Sequence, residues 1–290
     1  MIIIKIQGGL GNQLFQYAIG RLLEIKYAKT VAYDTNFYAL HNGYTQRLFL
    51  LDRFQVRMRI ATTEEIKRVK YPFGFFSKGI VLVKKVLNKF IFKNYQVVYD
   101  NTFLPSLEKK DSAYLEGFWQ SCDYTNQVIV LLRQELVLQE PVRQELEEYI
   151  QKVTSRNSVF VHIRRGDYVQ GGKDLQTLDV EYYKKAVELI ESKVENPVYY
   201  IFSDDITWVE NSMAFLFNEV IYLKEGVLKD YEELVLMSFC KHGIIANSSF
   251  SWWGAMLSGE KKRTIICPKD WKNVHFKKDT HICPKEWIEI

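Results

Sequence analysis

Two rhythms of apolar and polar positions run along this chain, one alternating like a strand and one recurring like a helix face, and they succeed each other most regularly in its second half. "SVFVHI" is a short β-branched run. "DVEYYKKAVELIESKV" follows, with Val180, Tyr183, Val187, Ile190 and Val194 on one helical face and Asp179 placed to cap it. "PVYYIFSDD" reads as the next strand, with Pro197 at its start, where a missing N–H is tolerated. Helix "ITWVENSMAFLF", strand "EVIYL", helix "KDYEELVLMSFC", strand "HGIIANS", helix "SFSWWGAML" and strand "RTIICP" complete the series. Short strands separated by helices predict a parallel sheet wrapped by helices.

The first half opens in the same way, with strand "IIIKI", a glycine loop, a helix from Asn12 to about Ala28 and strand "TVAYD". The pattern then fades from Thr35 to about Asp111. "AYLEGFW" reads as a strand, "QVIVLLRQELVL" as a helix stopping near Pro141, and "VRQELEEYIQKV" as a second helix. The polar stretch "TSRNS" marks a boundary. The expectation is two α/β domains, residues 1–153 and 154–290, facing one another across a cleft.

Composition narrows the classes. Of 290 residues, 47% are hydrophobic and 26% charged, which excludes a disordered chain. Lys+Arg of 39 against Asp+Glu of 35 leaves a net charge of +4, too little for bulk nucleic-acid binding. Cys122, Cys240, Cys267 and Cys283 form no CxxC and no zinc-like spacing, so they read as buried thiols. "IIIKI" is too short to span a membrane. Phe75 to Asn94 is basic and amphipathic, which suits a surface helix with a lysine face or contact with a membrane surface.

Four stretches carry candidate chemistry. "VHIRRGDYV" puts His162, Arg164, Arg165 and Asp167 at a strand's carboxyl end. Two adjacent guanidiniums there call for an anion or a carboxylate: one arginine suits a ligand phosphate and the other a structural partner such as Asp167. A surface ion-pair cluster is the alternative. In "IIANSSFSWWGAML", Ser248 and Ser249 begin a helix and use the same atoms for capping or for an anion, while Trp252 and Trp253 read as packing residues. In "FSDDITW", Asp204 and Asp205 suit a guanine's N–H groups or helix capping. In "KIQGGLGNQLFQYAIG", the strand–glycine–helix order suits a phosphate. A nicotinamide-dinucleotide fingerprint needs glycine where Leu14 stands, although Asp34 ends the next strand as a ribose-binding acid would. An NAD-dependent dehydrogenase therefore stays an alternative. There is no GxxxxGK[ST] loop.

Together, "GGLGNQLFQYA", "HIRRGDY" and "NSSFSWWGAML", in this order and spacing, resemble the α-1,2-fucosyltransferases of glycosyltransferase family eleven. The resemblance runs from Gly8 to about Leu257. It implies a GT-B-like α/β fold of two Rossmann-like domains, an N-terminal acceptor-side domain with the glycine loop and a C-terminal donor domain. It further implies GDP-β-L-fucose as donor substrate, inverting transfer of fucose to O2 of a terminal galactose, and neither metal nor other cofactor. By the same resemblance Arg164 contacts the donor pyrophosphate and His162 the guanosine. Asp205, or Asp204 if the register slips, holds guanine. Ser248, Ser249 and Phe250 lie near the phosphates, and Gly11 and Asn12 reach the fucose from the other domain. The glutamate that serves as base in α-1,6 relatives falls on Gly172, so Asp167 is the first candidate base and Asp174 the second. The implied acceptor is a galactose-terminated oligosaccharide or lipid-linked glycan such as an O-antigen repeat, chosen near "HNGYTQR" or "GFWQS". The start at the glycine-loop strand suggests a bacterial, cytoplasmic member. A protein that kept the sites and lost turnover, binding nucleotide or glycan only, is the non-enzyme alternative.

Overall fold

The structure, a computed structural model, describes residues 1–39, 47–70, the backbone of 97–99, and residues 112–166, 177–260, 262–269, 271 and 282–290. Asp167, Asp174, the Phe75–Asn94 stretch and most of "HNGYTQR" lie outside these. The chain divides into two compact units, Met1–Leu131 and Leu132–Ile290.

The first unit holds a parallel sheet of strands β1 (Ile2–Lys5), β2 (Val31–Asp34), β3 (Val97–Tyr99) and β4 (Ala113–Glu116), in the order β2-β1-β4-β3. Ile2, Ile3 and Ile4 are fully buried, which explains an unbroken apolar run where a half-exposed strand would alternate. Helix α1 (Leu10–Tyr27) follows β1 and closes on Ala28 in the left-handed region, φ 49°. Its Gln13 and Gln16 are completely buried, an expensive placement unless every amide atom is answered. Both side chains act as struts. Gln13 Nε2 donates to Leu48 O at 2.8 Å and its Oε1 accepts from Leu50 N at 2.9 Å. Gln16 Nε2 donates to Gly117 O at 3.0 Å and its Oε1 accepts from Gln7 N at 2.9 Å.

The second unit is a six-stranded parallel sheet in the order β10-β9-β8-β5-β6-β7. Its strands are β5 (Asn157–Ile163), β6 (Pro197–Ser203), β7 (Val220–Tyr222), β8 (His242–Ile244), β9 (Ile265–Cys267) and β10 (Ile288–Glu289). Helix Val180–Glu191 lays Tyr183, Ala186, Val187 and Ile190 on the sheet, and Asp179 caps it by accepting from Tyr182 N at 2.9 Å, as the pattern predicts. The chain winds from β5 outward to β6 and β7, then returns to the other side of β5 for β8, β9 and β10. The winding reverses between β5 and β8, and ligands of such sheets bind at that reversal, outside the strands' carboxyl ends.

The domain boundary differs from the sequence expectation of 153/154. The division at Leu131/Leu132 falls inside the short helix Ile129–Glu135, so helix Gln144–Thr154 belongs to the second unit. Buried Leu146 and Val153 anchor that helix. Ser158 Oγ at the start of β5 donates to Val153 O at 2.7 Å and accepts from Lys241 N at 3.1 Å. At its other end Arg143 donates through Nε to Glu232 Oε1 at 2.6 Å, and Glu232 is buried. Polar "TSRNS" is thus a turn within a unit. Removing Arg143 leaves a buried carboxylate without its cation, so Arg143→Ala is expected to lower the midpoint of urea unfolding clearly. An unchanged midpoint would detach this helix from the second unit's stability.

Two other differences concern short elements. "QVIVLLRQELVL" contains only helix Ile129–Glu135, with a separate turn of helix at Cys122–Asn126, and the edge strands β3 and β10 carry too few residues to announce themselves. Among the described residues no helix is long and apolar enough to cross a membrane.

Candidate active site

The reversal of the second sheet gathers the second unit's three motifs. His162, Arg164 and Arg165 leave the end of β5, Asp204 and Asp205 follow its neighbour β6, and Ser248 and Ser249 follow β8.

Asp204 organises the arginine turn. Its carboxylate accepts from Arg165 N at 2.8 Å and Gly166 N at 3.0 Å, and pairs with Arg164 Nη1 at 2.9 Å. The approach is so close that a Cβ on Gly166 would stand 2.7 Å from Asp204 Oδ2, which only glycine avoids. Gly166→Ala is therefore expected to push the carboxylate off the turn and reduce activity while leaving the fold intact, as circular dichroism beside a turnover assay would report. Wild-type turnover in that variant would mean the turn does not depend on this contact.

Asp205 does different work. It caps helix Ile206–Met213 by accepting from Trp208 N at 3.1 Å, and its other oxygen accepts from Arg165 Nε at 3.1 Å. The Arg165 guanidinium lies 3.6 Å over the Trp208 ring. Arg165 is thus the structurally braced arginine, held by Asp205 and Trp208; the partner that sequence suggested, Asp167, is outside the described residues. Of the two aspartates in "DD", Asp205 is the helix cap and Asp204 instead holds the arginine turn. Trp208 has no signal in sequence beyond standing three residues after a helix cap.

His162 is buried, and burial first, then the Arg164 charge, push its imidazole down to about 3. It stays neutral at any physiological pH, a hydrogen-bonding group and too weak a base to take a proton near neutrality. Its Nδ1 has no partner among the described residues, and its ring lies 5.7 Å from that of Phe250. Because the folded value lies below the ordinary one of about 6.5, the unfolded chain binds the extra proton first. Stability from keeping this ring neutral is complete above about pH 6.5 and is lost as pH falls from there towards 3. His162→Gln should flatten that acid slope, read as urea midpoint against pH; an unaltered slope would remove His162 as its source.

Ser248 is the cap of helix Ser249–Met256, its Oγ accepting from Phe250 N at 3.4 Å. The helix's first N–H groups face the end of the sheet as an anion-favouring terminus. Trp252 and Trp253 are fully buried and meet edge to face at 5.2 Å, so they are core.

In the first unit the winding reverses between β1 and β4, and the loops after these strands are the glycine loop and "GFWQS". Gly8 has φ 82°, open to glycine alone at low cost, and its carbonyl accepts from Tyr38 Oη at 2.9 Å. Gly11 sits inside α1, so the loop proper is Gln7–Gly9. Asn12, in the first turn of α1, accepts through Oδ1 from Gln120 Nε2 at 2.6 Å, joining the helix start to the "GFWQS" loop. Beside it Trp119 is held at φ 57°, a strain of roughly 1–3 kcal/mol for a bulky residue. Asp34, the acid that a dinucleotide site would need, is spent internally: it accepts from Tyr114 Oη at 2.7 Å and Asn36 N at 3.0 Å.

The pattern described as Glycosyl transferase family 11 matches residues 1–290. The chain is 30% identical to the Alpha-1,2-colitosyltransferase of Escherichia coli over 93% of this chain and 92% of that one. It is 28% identical to the O-antigen biosynthesis glycosyltransferase WbnK of Escherichia coli, over 92% and 93% respectively. Similarity also reaches the Galactoside 2-alpha-L-fucosyltransferase Sec1 of Mus musculus, 23% identical over 89% of this chain and 65% of that protein. Among solved structures, an arginine-to-lysine mutant of Arabidopsis thaliana FUT1 in complex with GDP superposes with TM-score 0.52 at 12% identity, covering 93% of this chain and 72% of that one. The NodZ alpha-1,6-fucosyltransferase soaked with GDP-fucose gives TM-score 0.51 at 12% identity, covering 94% and 97%. These two likenesses are of fold, and the fold is GT-B-like α/β. On the match across its whole length, the chain belongs to glycosyl transferase family 11.

Proposed function

We propose that this protein transfers L-fucose from GDP-β-L-fucose to O2 of a terminal galactose, forming an α-1,2 linkage with inversion. The observation that carries the reading is the convergence of Arg164, Asp204, Asp205 and the Ser248–Ser249 helix start on the reversal between β5 and β8. Breaking the sugar–phosphate bond leaves negative charge on the β-phosphate and positive character on the ring. A guanidinium already oriented by Asp204, with helix N–H groups beside it, favours that charge most in the transition state.

The donor-side residues then divide as follows. Arg164, with Ser248, Ser249 and Phe250 near it, takes the diphosphate. Neutral His162 hydrogen-bonds the guanosine. Asp205 takes the guanine N–H groups in preference to Asp204, because Asp204 is tied to the arginine turn and paired with Arg164, while the Asp205 side chain is the more exposed, 39% against 25%. Asn12 and the glycine loop are assigned to the transferred sugar and its phosphate, and "GFWQS" to the acceptor. The proton of the attacking hydroxyl leaves on the face away from GDP, so the departing phosphate cannot take it. Asp167, then Asp174, is the assigned base, tested by pH–rate profiles of each Asp→Asn variant.

A colitosyl donor is a second reading, favoured by the 30% identical relative named Alpha-1,2-colitosyltransferase. Colitose lacks one ring hydroxyl of fucose. A site that hydrogen-bonds that hydroxyl discriminates strongly against its absence. The acceptor is proposed to be an oligosaccharide or lipid-linked glycan ending in galactose. The work is placed in the cytoplasm; for Phe75–Asn94 a surface lysine face is the preferred reading and contact with the membrane's inner face the alternative, which failure to float with anionic liposomes would remove.

The deciding experiment incubates the protein with GDP-fucose or GDP-colitose and a panel of galactose-terminated oligosaccharides, read by product mass and GDP release. One new fucosylated product supports the main reading. GDP binding without turnover would leave a binding protein, and thermal stabilisation by NADH but not by GDP would favour a dehydrogenase.

A further inference from the structure

At the far edge of the second sheet, two cysteines and a carboxylate that sequence keeps apart come together. Cys267 ends β9, Glu289 is its register partner on β10, and Cys283 lies in the segment leading into β10. Their two Sγ atoms and a carboxylate oxygen all lie within 4.8 Å of one another. Both cysteines are buried and none of the chain's cysteines is in a disulfide, while Glu289 reaches solvent. The spacing 267, 283, 289 matches no zinc pattern, so nothing in the sequence pointed here.

We propose that Cys267, Cys283 and Glu289 form a structural site for a zinc-class divalent cation. The donor set decides the class. Two sulfurs and one oxygen suit a borderline-soft ion such as Zn²⁺ and disfavour Mg²⁺ or Ca²⁺, which take oxygen alone. Separations of this order are within side-chain adjustment of a tetrahedral sphere, whose fourth position water fills from the side of Glu289. A carboxylate contributes nothing to a disulfide and is a metal ligand in its own right. Cysteine binds such an ion as thiolate, so binding releases the two thiol protons to solvent.

The place suits a structural role. β10 is only two residues long and rests on β9 through Ile290 N to Cys267 O at 3.1 Å and Lys269 N to Ile290 O at 2.8 Å. A cation held by one residue from each of three segments fastens the chain's end to the sheet where backbone pairing is shortest.

The test titrates the full-length protein with Cd²⁺ in a thiol-free reductant and follows the thiolate-to-cadmium ultraviolet band. One equivalent per chain is expected, abolished in Cys267→Ala and Cys283→Ala and kept in Cys122→Ala and Cys240→Ala. Glu289→Gln, at an exposed position that does not endanger folding, should weaken Cd²⁺ binding by about tenfold or more. Zn²⁺ should raise the melting temperature of the wild type more than that of Glu289→Gln. Absence of the band, its survival in Cys267→Ala, or undiminished affinity in Glu289→Gln would overturn the site, as would a Cys267–Cys283 disulfide in protein purified without air. None of these readouts involves a nucleotide sugar, so the site and the proposed transfer stand or fall separately.

Discussion

Arg164→Ala is expected to fold normally and to lose on the order of 10²-fold or more in kcat, the usual cost of removing one donor aimed at a developing oxyanion. The residue leaves the carboxyl end of β5, next to the winding reversal, and its partner Asp204 stands 2.9 Å away. At 23% side-chain exposure the guanidinium is partly desolvated without being buried, so truncation opens no core cavity and folding should survive. Arg164→Lys should recover little, because a point charge cannot span two phosphate oxygens as a planar fork does. Equal falls in kcat and kcat/KM would place the lost contact in the transition state, whereas a rise in KM alone would reduce it to ground-state binding. Retention of a tenth of wild-type turnover would remove Arg164 from the chemistry.

Asp204→Ala is expected to lose almost as much, although Asp204 is assigned no contact with the reacting atoms. Its carboxylate fixes the turn by two hydrogen bonds from backbone N–H groups and an ion pair with Arg164 itself. Without it the turn relaxes and the guanidinium is no longer held, and misplacement by about 1 Å costs on the order of 10²-fold. A merely structural role would move stability and leave the kinetic split unchanged. A positioning role predicts a lowered kcat in a folded protein, partial recovery in Asp204→Asn, which keeps one acceptor oxygen, and little further loss when Arg164→Ala is added. Full additivity of the two substitutions would mean that they act independently.

Sequence read the frame well because the second sheet is buried on both faces. "SVFVHI" and "PVYYIFSDD" could be placed as strands since their apolar runs are unbroken, and Asp179 could be placed as a cap since capping is local. The boundary was harder. "TSRNS" is polar and looks like a linker, yet Ser158 is buried and binds two backbone groups, which no local pattern reveals. The short edge strands β3 and β10 were hidden for a related reason: two or three residues show no period, and only a neighbouring strand makes them strands.

The candidate site was legible in its residue types and not in its pairings. Arginine at a strand end, serine at a helix start and paired aspartates are signals of composition and position. Which carboxylate braces which arginine depends on the register of β5 against β6, where His162 lies beside Phe202 and Ile163 beside Ser203. That register carries Asp204 under the arginine turn and Asp205 to Arg165 and Trp208. Buried Gln13 and Gln16 were likewise visible as letters and obscure as struts, because their partners Leu48, Leu50 and Gly117 are remote in sequence.

The most direct test of the account is a crystal structure of the protein with GDP. It should show the diphosphate outside the ends of β5 and β8, with both terminal nitrogens of Arg164 within hydrogen-bonding distance of β-phosphate oxygens and Asp204 still gripping the turn. GDP bound elsewhere, or at that place with Arg164 turned to Asp204 alone and no phosphate contact, would contradict it.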